Sequence, residues 1–234
     1  KLLSYIIKSI PQNTWNEMPK LLPGLSSYAN LGHKIHKGAN ALEAKMLSEL
    51  YYVLCSDWQN PTNVVINSKE PETFLTKSKL ELSKLENHQK MMVLDLINYL
   101  PNDILVKVDR AAMASSLETR VPLLDHKLIE YVWKIPHSLK FRNGEGKWIF
   151  KQILNKYVPK NLTERSKKGF SVPLDSWLRG PLRDWAENLL DEKRLSEEGY
   201  FNKKLIRDKW LEHLSGKKNW QHDLWNVLMF QAWI

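Results

Sequence analysis

The sequence predicts a mainly α-helical chain. Three observations carry that prediction: apolar residues recur at spacings of three and four, Pro and Gly cut the chain into helix-sized pieces, and no convincing series of alternating strands intervenes. With 234 residues and 43% hydrophobic content, there is enough apolar material to bury a core. No internal repeat or long low-complexity tract is present.

The elements follow in order. Leu2, Leu3, Ile6, Ile7 and Ile10 keep helical spacing until Pro11 ends the run. Ala39 to Leu54 is predicted as one helix, with Leu42, Met46, Leu50 and Val53 on one face and the adjoining Cys55 in the core. "WQNPTNVVINSKEPE" is a loop. "HQKMMVLDLINYL" reads as a buried helix closed by Pro101, and "NDILVKVDRAAMASSLE" as a new helix with Asn102 as its N-cap. In that helix Ile104, Leu105, Val108, Ala112 and Ser115 share an apolar or small face, while Asp103, Lys107 and Arg110 line another. Val121, held extended by Pro122, makes "RVPLLD" a connector; Asp125 can cap "HKLIEYVWKI", which Pro136 stops.

"FRNGEGKWIFKQILNKYVP" gives a Gly turn and then a helix from about Lys147 to Tyr157, followed by the polar loop "KNLTERSKKGFSVPLDSW". From Asp175 to Ile234 helices succeed one another, broken at Gly180-Pro181, Gly199 and Gly216. The Trp-rich tail fits core anchoring better than base stacking, and "DEKRLSEE" reads as a solvated helix end.

Charge and cysteine content narrow the classes of function. A net charge of +9 raises nucleic acid as a partner, but nearly all the excess lies between Lys134 and Phe170, which carries ten basic residues against two acidic. A patch so confined suits one anionic ligand site better than a surface that coats a polymer. One cysteine excludes an intrachain disulfide and points to a reducing, cytoplasmic compartment. Lys8 interrupts the first apolar run, so a signal peptide is not expected, and no stretch reaches the roughly 20 residues of a membrane-spanning helix. The sequence begins with Lys rather than Met, and we expect a piece of a longer protein.

Two stretches could carry chemistry. In "DRAAMASSLETRVPLLD", Asp109 and Arg110 stand beside small residues that allow close approach, while Glu118 and Arg120 come where the helix ends. On periodicity alone, these charges fit a structural ion-pair network around the connector as well as a site. In "ERSKKGFSVP", Arg165, Lys167 and Lys168 precede Gly169, whose backbone freedom lets cations close on a phosphate; a solvated basic turn is the alternative. His33 and His36 lack an acid or third ligand at metal spacing, and no metal site is expected.

Together, "YLPNDILVKVDRAAMASSLETRVPLLD" and "ERSKKGFSVPLDSWLRGPLRDW" closely resemble the C-terminal half of the synthetase domain of glutamine-dependent asparagine synthetases. The ending "HDLWNVLMFQAWI" is also similar. The resemblance implies the helical C-terminal part of an α/β adenine-nucleotide α-hydrolase-like domain whose parallel sheet lies mostly upstream. It further implies ATP and Mg2+ as cofactors, with aspartate and glutamine-derived ammonia as substrates. In that chemistry aspartate attacks the α-phosphate to form β-aspartyl-AMP, pyrophosphate leaves, and ammonia displaces AMP.

By the same resemblance, Lys167 matches the phosphate-contacting lysine and is the first catalytic candidate. Glu118 matches the acid of an L-E-x-R motif, which in lactam-forming relatives pairs with a tyrosine in proton transfer. Arg110 is a phosphate contact oriented by Asp109, and Arg120 fixes Glu118 or the connector. The S-G-G-x-D-S nucleotide loop, the G-G-D-E-type magnesium loop and the glutaminase N-terminal cysteine have no counterpart in the sequence. The expectation is therefore a C-terminal portion, inactive by itself, whose partner is the missing N-terminal part; a homodimer is compatible, and neither membrane nor nucleic acid is expected. The rivals are a lactam-forming, peptide-cyclising or sugar-amidating relative, and a basic helical nucleic-acid module using the 134–170 patch.

Overall fold

The computed structural model describes residues 2–21, 31–73, 82–164 and 172–234. The chain divides into two units, Lys1–Asp103 with Val172–Ile234, and Ile104–Ser171. The described residues are mainly helical, as the apolar spacing predicts, and their one sheet is a two-stranded hairpin.

The first unit opens with α1 (Leu2–Ser9), α2 (Gln12–Leu21), α3 (Leu31–Ala41) and α4 (Leu47–Cys55). Pro11 parts α1 from α2. Helices α2 and α3 approach so closely that a Cβ on Gly32 would lie 2.1 Å from the Gln12 carbonyl oxygen. The Gly32 N–H meets Asn16 Oδ1 at 2.8 Å, and His36 Nε2 donates to the Ile10 carbonyl at 2.9 Å. Ser4 and Lys8 both reach Glu43 at 2.7 Å, tying α1 to the end of α3.

The single helix expected over Ala39–Leu54 is broken. The Glu49 carboxylate accepts from the Lys45 and Met46 N–H groups at 2.7 and 3.3 Å, which ends the loop and caps α4. Leu42 and Met46 are consequently 56% and 64% exposed rather than part of a buried stripe. Cys55 is exposed at the end of α4, correcting its core placement; the buried residue of that helix is Tyr51.

Helix α5 (Asn87–Leu94) continues into a π-helix, Asp95–Leu105, and then α6 (Val106–Met113). Pro101 therefore does not close a helix, and Asn102 is interior rather than an N-cap. The wider i→i+5 turn carries the preceding carbonyl away from the proline ring, where a regular α-turn would clash. Only Leu94 of α5 and the π-helix is buried, so this run is not the buried helix expected.

The second unit adds α7 (His126–Lys134), α8 (His137–Lys140), a hairpin of β1 (Phe141–Arg142) and β2 (Glu145–Gly146), α9 (Trp148–Leu154) and α10 (Lys160–Thr163). Asp125 caps α7, accepting from the Lys127 and Leu128 N–H groups at 3.0 and 3.2 Å. The hairpin turns on Asn143 and Gly144, both at positive φ, as an Asn-Gly pair favours. Helix α9 is shorter than the Lys147–Tyr157 helix expected, and α10 interrupts the polar loop. No residue from 104 to 164 is buried.

The core lies in the first unit, in α11 (Leu174–Arg179), α12 (Arg183–Leu189), α13 (Glu192–Glu198), α14 (Lys203–Leu214) and α15 (Gln221–Trp233). The predicted breaks hold: Gly180 follows α11, while Gly199 and Gly216 follow α13 and α14 at positive φ. Along α14, Ile206, Trp210 and His213 are fully buried at spacings of four and three; along α15, Leu224, Val227 and Leu228 face the same cluster. Each such apolar side chain contributes about 1.5–3 kcal/mol by leaving water. Trp210 confirms an anchoring role for the tail, although Trp233 is 80% exposed.

Polar groups bind these helices together. Glu187 accepts from Trp210 Nε1 and pairs with Arg207, whose guanidinium also meets the Leu190 carbonyl at 3.0 Å. Arg194 joins Glu198 and the Gln231 carbonyl at 2.7 and 3.0 Å, and the Gln231 amide donates to the Leu189 carbonyl at 3.2 Å. "DEKRLSEE" is thus more than a solvated end. Buried His213 accepts at Nδ1 from the Trp220 N–H at 3.2 Å, while Arg179 donates to the His213 carbonyl. Burial, reinforced by Arg179 and opposed by Asp175, lowers the His213 imidazole to about 4.

Candidate functional site

The charged stretch from Asp109 takes its local form from the end of α6. The Ser116 N–H returns to Met113 and the Leu117 N–H to Ala112, at 2.9 and 3.0 Å, with Ser116 at φ 57°. This double closure normally favours glycine at the left-handed position. It ends α6 ahead of Glu118 and Arg120, which pair at 2.6 Å.

The pair is open to solvent, with side chains 67% and 86% exposed. Asp109 and Arg110 are also exposed, and among the described residues they form no ion pair with each other. Of the structural ion-pair network, the Glu118–Arg120 pair is present but solvent-exposed, where charges gain little from pairing and stay accessible. The small residues Ala111, Ala114, Ser115 and Ser116 are exposed too. Lys167, with Arg165, Lys168 and Gly169, lies outside the described residues.

The basic segment of the same unit is partly fastened to aromatic faces. Arg142 lies 4.9 Å from the Trp148 ring centroid and Lys140 5.6 Å from that of Trp133, while Lys151 pairs with Glu145. Burial lowers the Lys140 ammonium from its usual range.

A feature the sequence did not announce is a cavity of about 1130 Å³ in the first unit, walled by α3, the 56–64 segment, α14 and the start of α15. Lys209 reaches it between two indoles, 4.9 Å from the Trp58 centroid and 2.9 Å from that of Trp220; Lys218 lies 3.7 Å from Trp220. Burial lowers Lys209 to about 8, a shift that Asp223 opposes. Asp223, 8% exposed, is raised by burial to about 6 against the pull of Lys209. His33 is lowered by burial first, then by His222, Lys37 and Lys218, so positive groups crowd one wall. The signal available was local: "KKNWQHD" interleaves cations with an aromatic, but it sits in a segment whose net charge is zero.

Among the described residues no group of three or more His, Cys, Asp or Glu could hold a metal ion, and no helix is long and apolar enough to cross a membrane.

The family model for asparagine synthase matches residues 4–234. The chain belongs to that family. It is 32% identical over 162 residues to glutamine-hydrolysing asparagine synthetase 1 of Bacillus subtilis, covering 69% of this chain and 25% of that protein. A putative glutamine-hydrolysing asparagine synthetase of Mycobacterium tuberculosis is 34% identical over 146 residues, covering 62% and 22% respectively. The glutamine-hydrolysing asparagine synthetase of Mus musculus is 26% identical over 193 residues, covering 71% and 33%. The chain thus spans about a quarter to a third of the length of these relatives. No solved structure matches it.

Proposed function

We propose that this chain is the helical C-terminal part of a cytoplasmic glutamine-dependent asparagine synthetase, working with an upstream parallel sheet and glutaminase. The supporting observation is the family match over residues 4–234, which includes both charged motifs. The reaction joins two anions. A β-carboxylate oxygen of aspartate bonds to the α-phosphorus of ATP as the bond to the bridging oxygen of pyrophosphate breaks. Ammonia then bonds to the acyl carbon, the carbon–oxygen bond to AMP breaks, and a proton leaves the nitrogen.

Both steps place negative charge on oxygens that must be stabilised in a water-poor pocket. Lys167 supplies a compensating positive charge at the phosphates, with Arg110 as a second contact. Glu118 handles the proton, and Arg120, its 2.6 Å partner, holds it in place. The Mg2+ and main phosphate loops of the S-G-G-x-D-S and G-G-D-E types have no counterpart in this sequence and are expected upstream. For the same reason the chain by itself binds ATP weakly and is inactive.

Lys167→Ala in the full-length protein is expected to abolish aspartate-dependent ATP–pyrophosphate exchange while glutamine hydrolysis continues. Exchange at the wild-type rate removes Lys167 from the mechanism.

A further inference from the structure

We propose that the cavity between α3, α14 and the start of α15 is a binding site for a small multivalent anion, held by the ammonium groups of Lys37, Lys209 and Lys218. Lys37, Lys209 and Lys218 line one cavity, and none has a carboxylate at salt-bridge distance among the described residues. Indole faces hold two of them, which offsets some lost hydration but brings no formal countercharge. Half-buried cations stationed this way are offset only at a distance, Lys209 and Lys218 by the charges of Asp223 and Glu212, and a bound anion can come closer than either.

The acids on the wall are differently engaged. Glu212 accepts from Trp220 Nε1 at 2.8 Å and pairs with Lys217 at 3.2 Å, and Asp57 accepts from Asn226 at 3.0 Å. Asp223 is buried beneath Trp58, whose indole N–H donates to its backbone carbonyl at 3.1 Å. The imidazoles of His33, His36 and His222 add neutral donors or, when protonated, further positive charge. The side-chain amides of Gln12, Asn40 and Asn60 also line the cavity. Asp103 is a fourth acid on the wall. Point-charge amines recognise phosphate or polycarboxylate oxygens without demanding one geometry.

This assignment is independent of the proposed synthetase chemistry, which places its phosphate contacts elsewhere in the sequence. Calorimetry of the purified chain with citrate and, separately, inorganic phosphate tests it. At least one probe is expected to bind with a Kd below about 1 mM, more weakly as salt is raised. Lys209→Met, which keeps the aliphatic stem between the indoles, and Lys218→Gln should each weaken binding about tenfold or more. Full-length Lys209→Met should keep aspartate-dependent ATP–pyrophosphate exchange, so that failure of the synthetase reading and failure of this one are distinguishable. Citrate alone identifies a polycarboxylate site and phosphate alone a phosphate site; binding of both supports a site that reads charge. Absence of binding by both probes at 10 times that concentration, on the order of 10 mM, or equal binding by a folded Lys218→Gln variant, overturns the assignment.

Discussion

Two buried titrating side chains set opposite pH dependences. His213 is lowered from 6.5 to about 4, so its contribution is present above the unfolded value and is lost as acid is added through that window. Asp223 is raised from 3.8 to about 6, so it favours the folded state at low pH and loses that contribution as pH rises. Each is worth at most about 3 kcal/mol, and between pH 4 and 6 they largely cancel. Urea midpoints should therefore fall more steeply on acidification in Asp223→Asn, whereas His213→Gln should grow more resistant to urea as pH drops from 6 to 4. Parallel profiles for the two variants would contradict this balance. Neither residue stood out in the sequence, because burial of one His or Asp depends on which helices close over it. Asp125 was legible, because its role needs only the two N–H groups immediately following it.

At the scale of elements, local chemistry predicted ends better than continuity. The breaks at Gly199 and Gly216 were readable because positive φ is a backbone property of one residue. The passage through Pro101 was not, since a π-turn removes the steric rule that makes proline a terminator. The break inside Ala39–Leu54 was hidden by apolar spacing that carries through a loop, and only the Glu49 contacts reveal it. Gly32→Ala should cost about 1–3 kcal/mol, since α2 and α3 must separate to admit the methyl group. Ser116→Gly should instead stabilise by about 0.5–1 kcal/mol by relieving its left-handed conformation. Thermal midpoints of the two variants should move in opposite directions; a shared direction removes one of the two backbone arguments.

For the molecule as a whole, the mainly helical class was legible from spacing, and the family from the two quoted blocks. The cavity was not, because residues from positions 33 to 223 build it and no single segment advertises it. The two units also differ in protection. The first encloses a contiguous cluster that includes Trp210 and Leu228, whereas residues 104–164 bury nothing fully. Hydrogen exchange should therefore be slower in α14 than in α9, by a factor of about 100 or more for a local difference near 3 kcal/mol. Equal rates would mean that the second unit is protected as well as the first.

The clasp at Gln231 also bears on how the protein is handled. Arg194 and the Leu189 carbonyl grip that residue three positions before the exposed Ile234. A variant that stops at Phe230 discards the grip and frees the final turn of α15 to fray.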